Sequence, residues 1–269
     1  MNSEHVHHTH SSDQALIEPV LAVAFFLLIV LYFIARIVSN RRYKKWPLHR
    51  YLLWSTGIIC VAASVIGPLV QKAHMDFTAH MIGHLLLGML APLLLVLAAP
   101  MTLILRAIPI TAARRLSKLL KSRPVGILTD PITATVLNIG GLWVLYMTEL
   151  YAVMNQNTLV HILVHIHIFL VGYVFTSSIL SIDPDPYRHS FMYRAVVLII
   201  ALAGHSILSK MIYAYPPSGV SREQADQGAM IMYYGGDAVD LVLIIVLCFQ
   251  WYRSVRLRSV LPDEKALTE

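Results

Sequence analysis

Histidine is the residue type in this sequence whose number and spacing are best suited to chemistry. The chain has 13 histidines, and two pairs of them are separated by four residues: His80 with His84, and His161 with His165. Residues i and i+4 lie on one face of an α-helix, about 6 Å apart. Neutral imidazole is a common ligand of copper, zinc and iron. Two such pairs could therefore supply four nitrogens to one metal ion or flank a haem.

Other polar residues extend this candidate site. His74 lies in the loop before the first pair and is a fifth candidate ligand. His205, Asp237 and His167 are expected to support the ligands, since a carboxylate can fix the tautomer of a ligating imidazole. A purely structural role for these residues is the alternative. The predicted metal ligands are His74, His80, His84, His161 and His165.

The composition places these histidines in a membrane protein. Hydrophobic residues make up 57% of the chain and charged residues only 13%, whereas a soluble domain has about 25% charged residues. This excludes an ordinary soluble protein, and it also excludes disorder, which needs low hydrophobicity and high charge. The net charge of +6 does not indicate nucleic-acid binding, because the basic residues lie in loops between apolar runs. The lipid bilayer is the predicted environment.

Seven apolar runs approach or exceed the length of about 20 residues that a spanning helix needs. They are Ile17–Val38, Leu52–Val70, Ala79–Leu105, Ile132–Met154, Leu159–Ile182, Ala195–Ile212 and Ala229–Trp251. We therefore predict an all-α bundle of seven transmembrane helices, with Pro92 and Pro100 as candidate kinks in the third. A His-rich extracytoplasmic tail (1–15) is expected to precede the membrane domain (16–253), and a cytoplasmic tail (254–269) to follow it.

The basic residues predict the orientation of the bundle. Of the 21 lysines and arginines, 18 lie on one side of the seven runs, and only Lys72, Lys210 and Arg222 lie on the other. Because cytoplasmic loops carry an excess of Lys and Arg, the N-terminus is expected outside and the C-terminus in the cytoplasm. Eleven of the 13 histidines then lie outside or in the outer half of the bundle.

Longer motifs carry a family resemblance. His74 is followed by FTAHMIGHLLLGMLAPLLLVLAAP (77–100), and HILVHIHIFLVGYVF (161–175) runs into SIDPDPYR (181–188). With QADQGAMIMYYGGD (224–237), this ordered set resembles the CtaG family, which is associated with the caa3-type cytochrome c oxidase. Tyr233 stands where the family pattern has Trp, and the His-rich tail is not part of that pattern.

The resemblance implies an assembly factor for a haem-copper oxidase, not an enzyme, in the bacterial plasma membrane. It implies a role in maturing the copper centre of the oxidase. We expect a subset of the five histidines to hold copper as Cu(I). An extracytoplasmic donor would supply it, with His5, His7, His8 and His10 of the tail as first contacts. An oxidase subunit would receive it within the membrane.

Two other functions fit the same residues. Histidines with an aspartate could bind Zn²⁺ and activate water, as in an intramembrane zinc hydrolase. Glu149 or Asp237 could then act as acid or base, although the sequence has no HExxH motif. Alternatively, opposed histidines of the third and fifth helices could be the axial ligands of a haem.

Overall fold

The structure is a computed structural model, and it describes the backbone of residues 7–265 and the side chains of residues 18–256. All regular elements within this range are helical, and no strand occurs in it. The predicted all-α fold is therefore confirmed. The side chains of the predicted His-rich tail (1–15), and those of the predicted cytoplasmic tail from residue 257 onward, lie outside the described part of the chain.

Fourteen α-helices and two short π-helical segments follow one another through residues 7–265. The first seven helices are α1 (His7–Arg42), α2 (Leu48–Val65), α3 (Pro68–Ala73), α4 (Phe77–Leu85), α5 (Ala91–Leu97), α6 (Pro100–Ala107) and α7 (Ile110–Leu120). The others are α8 (Arg123–Leu128), α9 (Pro131–Thr135), α10 (Gly141–Met147), α11 (Leu150–Gln156), α12 (Thr158–Leu180), α13 (Phe191–Ala214) and α14 (Arg222–Lys265). The π-helical segments are Leu86–Leu90, which joins α4 to α5, and Val136–Gly140, which joins α9 to α10.

Six helices in the described part of the chain are long and apolar enough to cross a membrane. They are Glu18–Arg42, Leu48–Val65, Phe77–Leu97, Thr158–Leu180, Phe191–Ala214 and Arg222–Arg256. A seventh crossing results if the bent pair Pro131–Met147 and Leu150–Gln156 is counted as one span. The predicted number of seven is thus the upper limit of what the described helices allow.

The third apolar run is shorter than the predicted Ala79–Leu105. Its helix ends at Leu97, and Ala99 has a left-handed backbone conformation with φ of 54°. Pro100 then begins α6, because proline has no N–H for an internal helix position and fits the first turn. Pro100 is therefore the start of a new helix and not a kink within a longer one.

The predicted run Ile132–Met154 is bent, with an angle of 78° between its two helices. The chain leaves the helix at Thr148, whose backbone is extended. The Thr148 hydroxyl donates to the Val144 carbonyl at 2.6 Å and accepts from Leu150 N at 3.2 Å. One side chain thus satisfies groups on both sides of the break.

The basic loops meet at one end of the bundle, which we call the basic end. The Arg106 guanidinium donates to the Lys44 carbonyl at 2.7 Å, and the Tyr187 hydroxyl donates to the Lys121 carbonyl at 2.7 Å. These contacts join the loops that follow the first, third and fifth predicted runs. Arg194, which we counted among the loop residues, is instead buried in α13 at 3% exposure.

The described residues form four apolar clusters, of which two lie beside the candidate site residues. One includes Phe77, Met81, Tyr146 and Met154, which come from α4, α10 and α11. The other lies around Leu93, Phe175, Leu198 and Leu243, which come from α5, α12, α13 and α14. The histidine-bearing turns of α4 and α12 adjoin the first cluster, at the end of the bundle opposite the basic end.

Candidate metal site

The first histidine pair lies in α4, close to the start of that helix. The Asp76 side chain accepts a hydrogen bond from Thr78 N at 2.9 Å and so fixes the residue at which α4 begins. His80 and His84 follow in the next two turns, and each is only 5% exposed. Both imidazoles are therefore enclosed by protein.

The second pair lies in α12, whose start is also fixed by a cap. The Asn157 side chain accepts from Leu159 N and Val160 N at 2.9 and 3.2 Å. The His161 and His165 rings stack with centroids 4.1 Å apart, and His165 Nδ1 lies 2.9 Å from the His161 carbonyl. Because a carbonyl oxygen only accepts, this contact places the proton on Nδ1. Nε2 of His165 is then left with the lone pair that a metal ligand requires.

Four predicted ligands from three chain segments meet at this end of the bundle. The His74 ring lies 5.0 Å from the His161 ring, and the His165 ring lies 6.1 Å from the His80 ring, measured between centroids. With the stacked pair in α12, they form a continuous series of ring contacts. We call this set, His74, His80, His161 and His165, the four-histidine cluster.

Three aromatic side chains border the four-histidine cluster on the side that faces the bundle interior. The Tyr146 hydroxyl of α10 lies 3.1 Å from His80 Nε2, and the Tyr151 ring lies 5.2 Å from the His80 ring. Phe77 contacts both tyrosines edge-on. These rings hold the His80 imidazole in place. When its Nε2–H donates to the Tyr146 hydroxyl, Nδ1 carries the lone pair that could bind a metal ion.

His84 lies in a different environment from His80. It lines a small cavity of about 30 Å³ together with His205 of α13 and Asp240 of α14. We call this space the polar cavity; Asn138 and Thr176 also line it. Among the described residues, no group hydrogen-bonds either ring nitrogen of His84 or Nε2 of His205. Of the predicted ligands, His84 is thus the one that faces away from the four-histidine cluster.

The three predicted supporting residues have different positions. His205 is buried at 3% exposure and lines the polar cavity. Asp237 and His167 are exposed. Asp237 and Asp240 both lie within the seventh apolar run, where an unpaired carboxylate is costly, and only Asp240 faces the bundle interior, at 6% exposure.

Three residues that line these sites were not among the predicted ligands and supporting residues. Asp240 carried a usable signal, because it is an acidic residue within an apolar run. Asn138 carried the same kind of signal, as a polar side chain within the fourth run. Tyr146 carried none, since tyrosine is common near the ends of spanning helices.

The histidines are gathered but not arranged as a finished coordination shell. Within residues 18–256, no three His, Cys, Asp or Glu side chains surround a common point closely enough to hold a metal ion. Ligation would require the rings to rotate toward one another. The predicted ligand set therefore stays a prediction, and so does the identity of the metal.

The chain is similar to several known proteins. The sequence model of the family described as "Cytochrome c oxidase caa3 assembly factor" matches residues 30–254. An uncharacterized protein of Mycobacterium leprae is 27% identical over 257 residues, which is 87% of this chain and 39% of that protein. Uncharacterized proteins of Mycobacterium bovis and Mycobacterium tuberculosis are each 31% identical over 174 residues, which is 62% of this chain and 26% of theirs. The chain thus spans well under half the length of these relatives. No solved structure matches this chain.

Proposed function

This chain belongs to the cytochrome c oxidase caa3 assembly factor family, and we propose that it helps to mature the copper centre of that oxidase by binding copper through its histidines. The observation that carries the proposal is the series of ring contacts in the four-histidine cluster. Imidazoles from the loop before α4, from α4 and from α12 lie 4.1 to 6.1 Å apart along it. Placing several ionisable side chains in an apolar bundle costs free energy, and such residues in membrane proteins usually mark functional sites.

A carrier is expected to bind its ion transiently. Structural metal sites have a closed set of ligands, whereas sites that exchange a ligand keep a position open. A carrier that held copper with four fixed nitrogens would release it slowly. We assign copper from the family's association with a copper-containing oxidase, and we expect the bound ion to be Cu(I).

The proposed direction of transfer follows from the distribution of basic residues. With the basic end in the cytoplasm, the four-histidine cluster lies at the extracytoplasmic side of the plasma membrane. An extracytoplasmic donor would deliver copper there, with the tail histidines as a first contact. The oxidase subunit that receives the ion would approach through the lipid bilayer, because the receiving centre also lies within the membrane.

The alternative functions gain no support from the family match. Neither a zinc-dependent hydrolase nor a haem protein is implied by a match to oxidase assembly factors. A Soret absorbance band in the purified protein would indicate haem, and lipid hydrolysis dependent on zinc would indicate the hydrolase.

The experiment pairs copper content with oxidase assembly. His161→Ala/His165→Ala removes the stacked pair, and we expect the purified variant to lose the Cu(I) that the four-histidine cluster binds and to leave the caa3 oxidase without a functional copper centre. His49→Ala is the matched control, because His49 is exposed at the basic end. A folded double variant that binds as much copper as the wild type and supports full oxidase activity would refute the proposal.

A further inference from the structure

We infer that the polar cavity is a second metal site, in which His84, His205 and Asp240 bind one transition-metal ion through two imidazole nitrogens and one carboxylate oxygen. The choice of copper for this ion rests on the proposed function, whereas the site itself is argued from the cavity alone. The inference moves His84 out of the four-histidine cluster and makes His205 a ligand.

The three side chains come from three helices and line one space, although, as in the four-histidine cluster, they would have to rotate to surround a single ion. His84 extends from α4, His205 from α13 and Asp240 from α14, and all three line the same cavity while being at most 6% exposed. A carboxylate at this depth needs a cationic partner or a proton. Within the described lining there is no lysine or arginine. A bound metal cation would supply the missing charge.

The free ring nitrogens indicate what the cavity lacks. In the described residues, His84 Nδ1, His84 Nε2 and His205 Nε2 are buried without a hydrogen-bond partner. Buried polar atoms are almost always paired, so three unpaired nitrogens around one cavity require an explanation. Two imidazoles and a carboxylate form a ligand set that catalytic zinc sites and non-haem iron sites use.

The backbone around the cavity is also unusual. Gly88 and Met89 of the first π-helical segment line it, and so do Asn138 and Ile139 of the second. Short π-helical segments within α-helices are uncommon and occur frequently at functional sites. Two of them beside one cavity are expected if both helices are shaped around a ligand.

The size of the cavity restricts the ligand. About 30 Å³ accommodates a metal ion and one water molecule, since a single water needs about 10–15 Å³ by this measure. A haem or a lipid chain is far too large. Gly236 makes the space that the His205 ring occupies, because a Cβ added there would lie 2.5 Å from Cε1 of that imidazole.

The position of the cavity suggests its relation to the four-histidine cluster. Tyr146 separates the two, since its hydroxyl contacts His80 Nε2 at 3.1 Å and its ring lies 6.2 Å from the His84 ring. An ion leaving the cluster would find the next imidazole one helical turn deeper in the bundle.

The test measures zinc and copper binding by the full chain in lipid nanodiscs. In a His161→Ala/His165→Ala background, which disables the cluster, we expect one equivalent of metal to remain bound. Adding Asp240→Asn and His205→Gln should lower the metal content at least tenfold, and adding His84→Gln alone should do the same. X-ray absorption of the remaining ion should show nitrogen and oxygen neighbours at about 2.0–2.2 Å. Glu223→Gln, an exposed change in α14, is the control and should leave the content unchanged.

Each outcome decides the question. If the polar-cavity variants retain the equivalent of metal while circular dichroism shows native helix content, the cavity holds only water and the inference is wrong. It is also wrong if the cluster variant already binds no metal. If cavity binding is present but neither set of variants affects oxidase assembly, the second site stands and the proposed function fails.

Discussion

Replacing His84 by leucine should stabilise the metal-free protein. The imidazole is 5% exposed, and within the described residues neither of its nitrogens has a partner. An unsatisfied buried polar group costs about 1–3 kcal/mol, whereas an apolar group of similar shape carries no such cost. Imperfect fit of a leucine in this space would offset up to about 1.5 kcal/mol. We expect a net increase in the free energy of unfolding of about 1–2 kcal/mol for His84→Leu.

His80 provides the matched comparison, one turn away on the same helix and equally buried. Its Nε2 is paired with the Tyr146 hydroxyl at 3.1 Å, so that His80→Leu leaves that hydroxyl without its partner. This variant should lose about 1–3 kcal/mol. The two substitutions are chemically identical, and the structure predicts opposite signs for them.

The assay is reversible unfolding in mixed detergent micelles, first with a chelator and then with zinc. Zinc at 100 times its dissociation constant should stabilise the wild-type protein by about 2.7 kcal/mol for each site that it fills, and His84→Leu should lose the part that belongs to the polar cavity. The wild type should then regain or exceed the stability of the variant. A metal-free His84→Leu protein less stable than wild type by 1 kcal/mol or more would refute the argument from unpaired nitrogens.

Three further substitutions test the packing that positions these residues. Gly172→Ala should destabilise the bundle by at least about 1–3 kcal/mol, because the added Cβ would collide with the Gly88 carbonyl oxygen. The yield of folded protein and its free energy of unfolding measure this effect. Tyr146→Phe should cost about 1–3 kcal/mol by leaving His80 Nε2 unpaired, measured by the same unfolding assay. Asp183→Ala should cost about 0.5–2 kcal/mol, because its carboxylate accepts three hydrogen bonds at 2.6–3.1 Å at the start of α6; proteolysis near Ala99 should increase with it.

Each of these changes has a control in the same chain. Gly83→Ala meets nothing within 4 Å and should be neutral or slightly stabilising. Tyr234→Phe removes a hydroxyl from a residue that is 68% exposed and should have little effect. Asp183→Asn keeps an oxygen that can accept and should lose less than the alanine variant. Equal losses in a variant and its control would contradict the packing argument.

The apolar runs predicted where the spanning helices lie but not where two of them break. Hydropathy averages over many residues, so it continued the third run through Ala98, Ala99 and Pro100, all of which are apolar. The break depends on the left-handed backbone of Ala99 and on Asp183, which caps α6 from a loop more than 80 positions later. A partner so distant in sequence leaves no local pattern. At the other break, the Thr148 hydroxyl bonds to groups on both sides of the bend, and hydropathy does not detect this contact either.

The candidate site was predictable in its residue types and less so in its arrangement. Ionisable residues are rare within spanning helices, and this rarity alone identified the histidines of α4 and α12 and both aspartates of α14. It could not decide between Asp237 and Asp240, which are less than one turn apart and differ in direction around the helix. That choice depends on the rotation of α14 against α4 and α13, which packing sets.

The same dependence on packing divides the predicted ligand set. Spacing of four residues places two histidines on one face of a helix, but each ring then meets whatever the neighbouring helices present at its own depth. At the depth of His80 the neighbours are His165 and Tyr146, whereas at the depth of His84 they include His205. The single predicted metal centre is thus divided between the four-histidine cluster and the polar cavity, which lie one helical turn apart. A bundle that presents different partners at successive turns offers imidazoles at two depths, as the two proposed sites require.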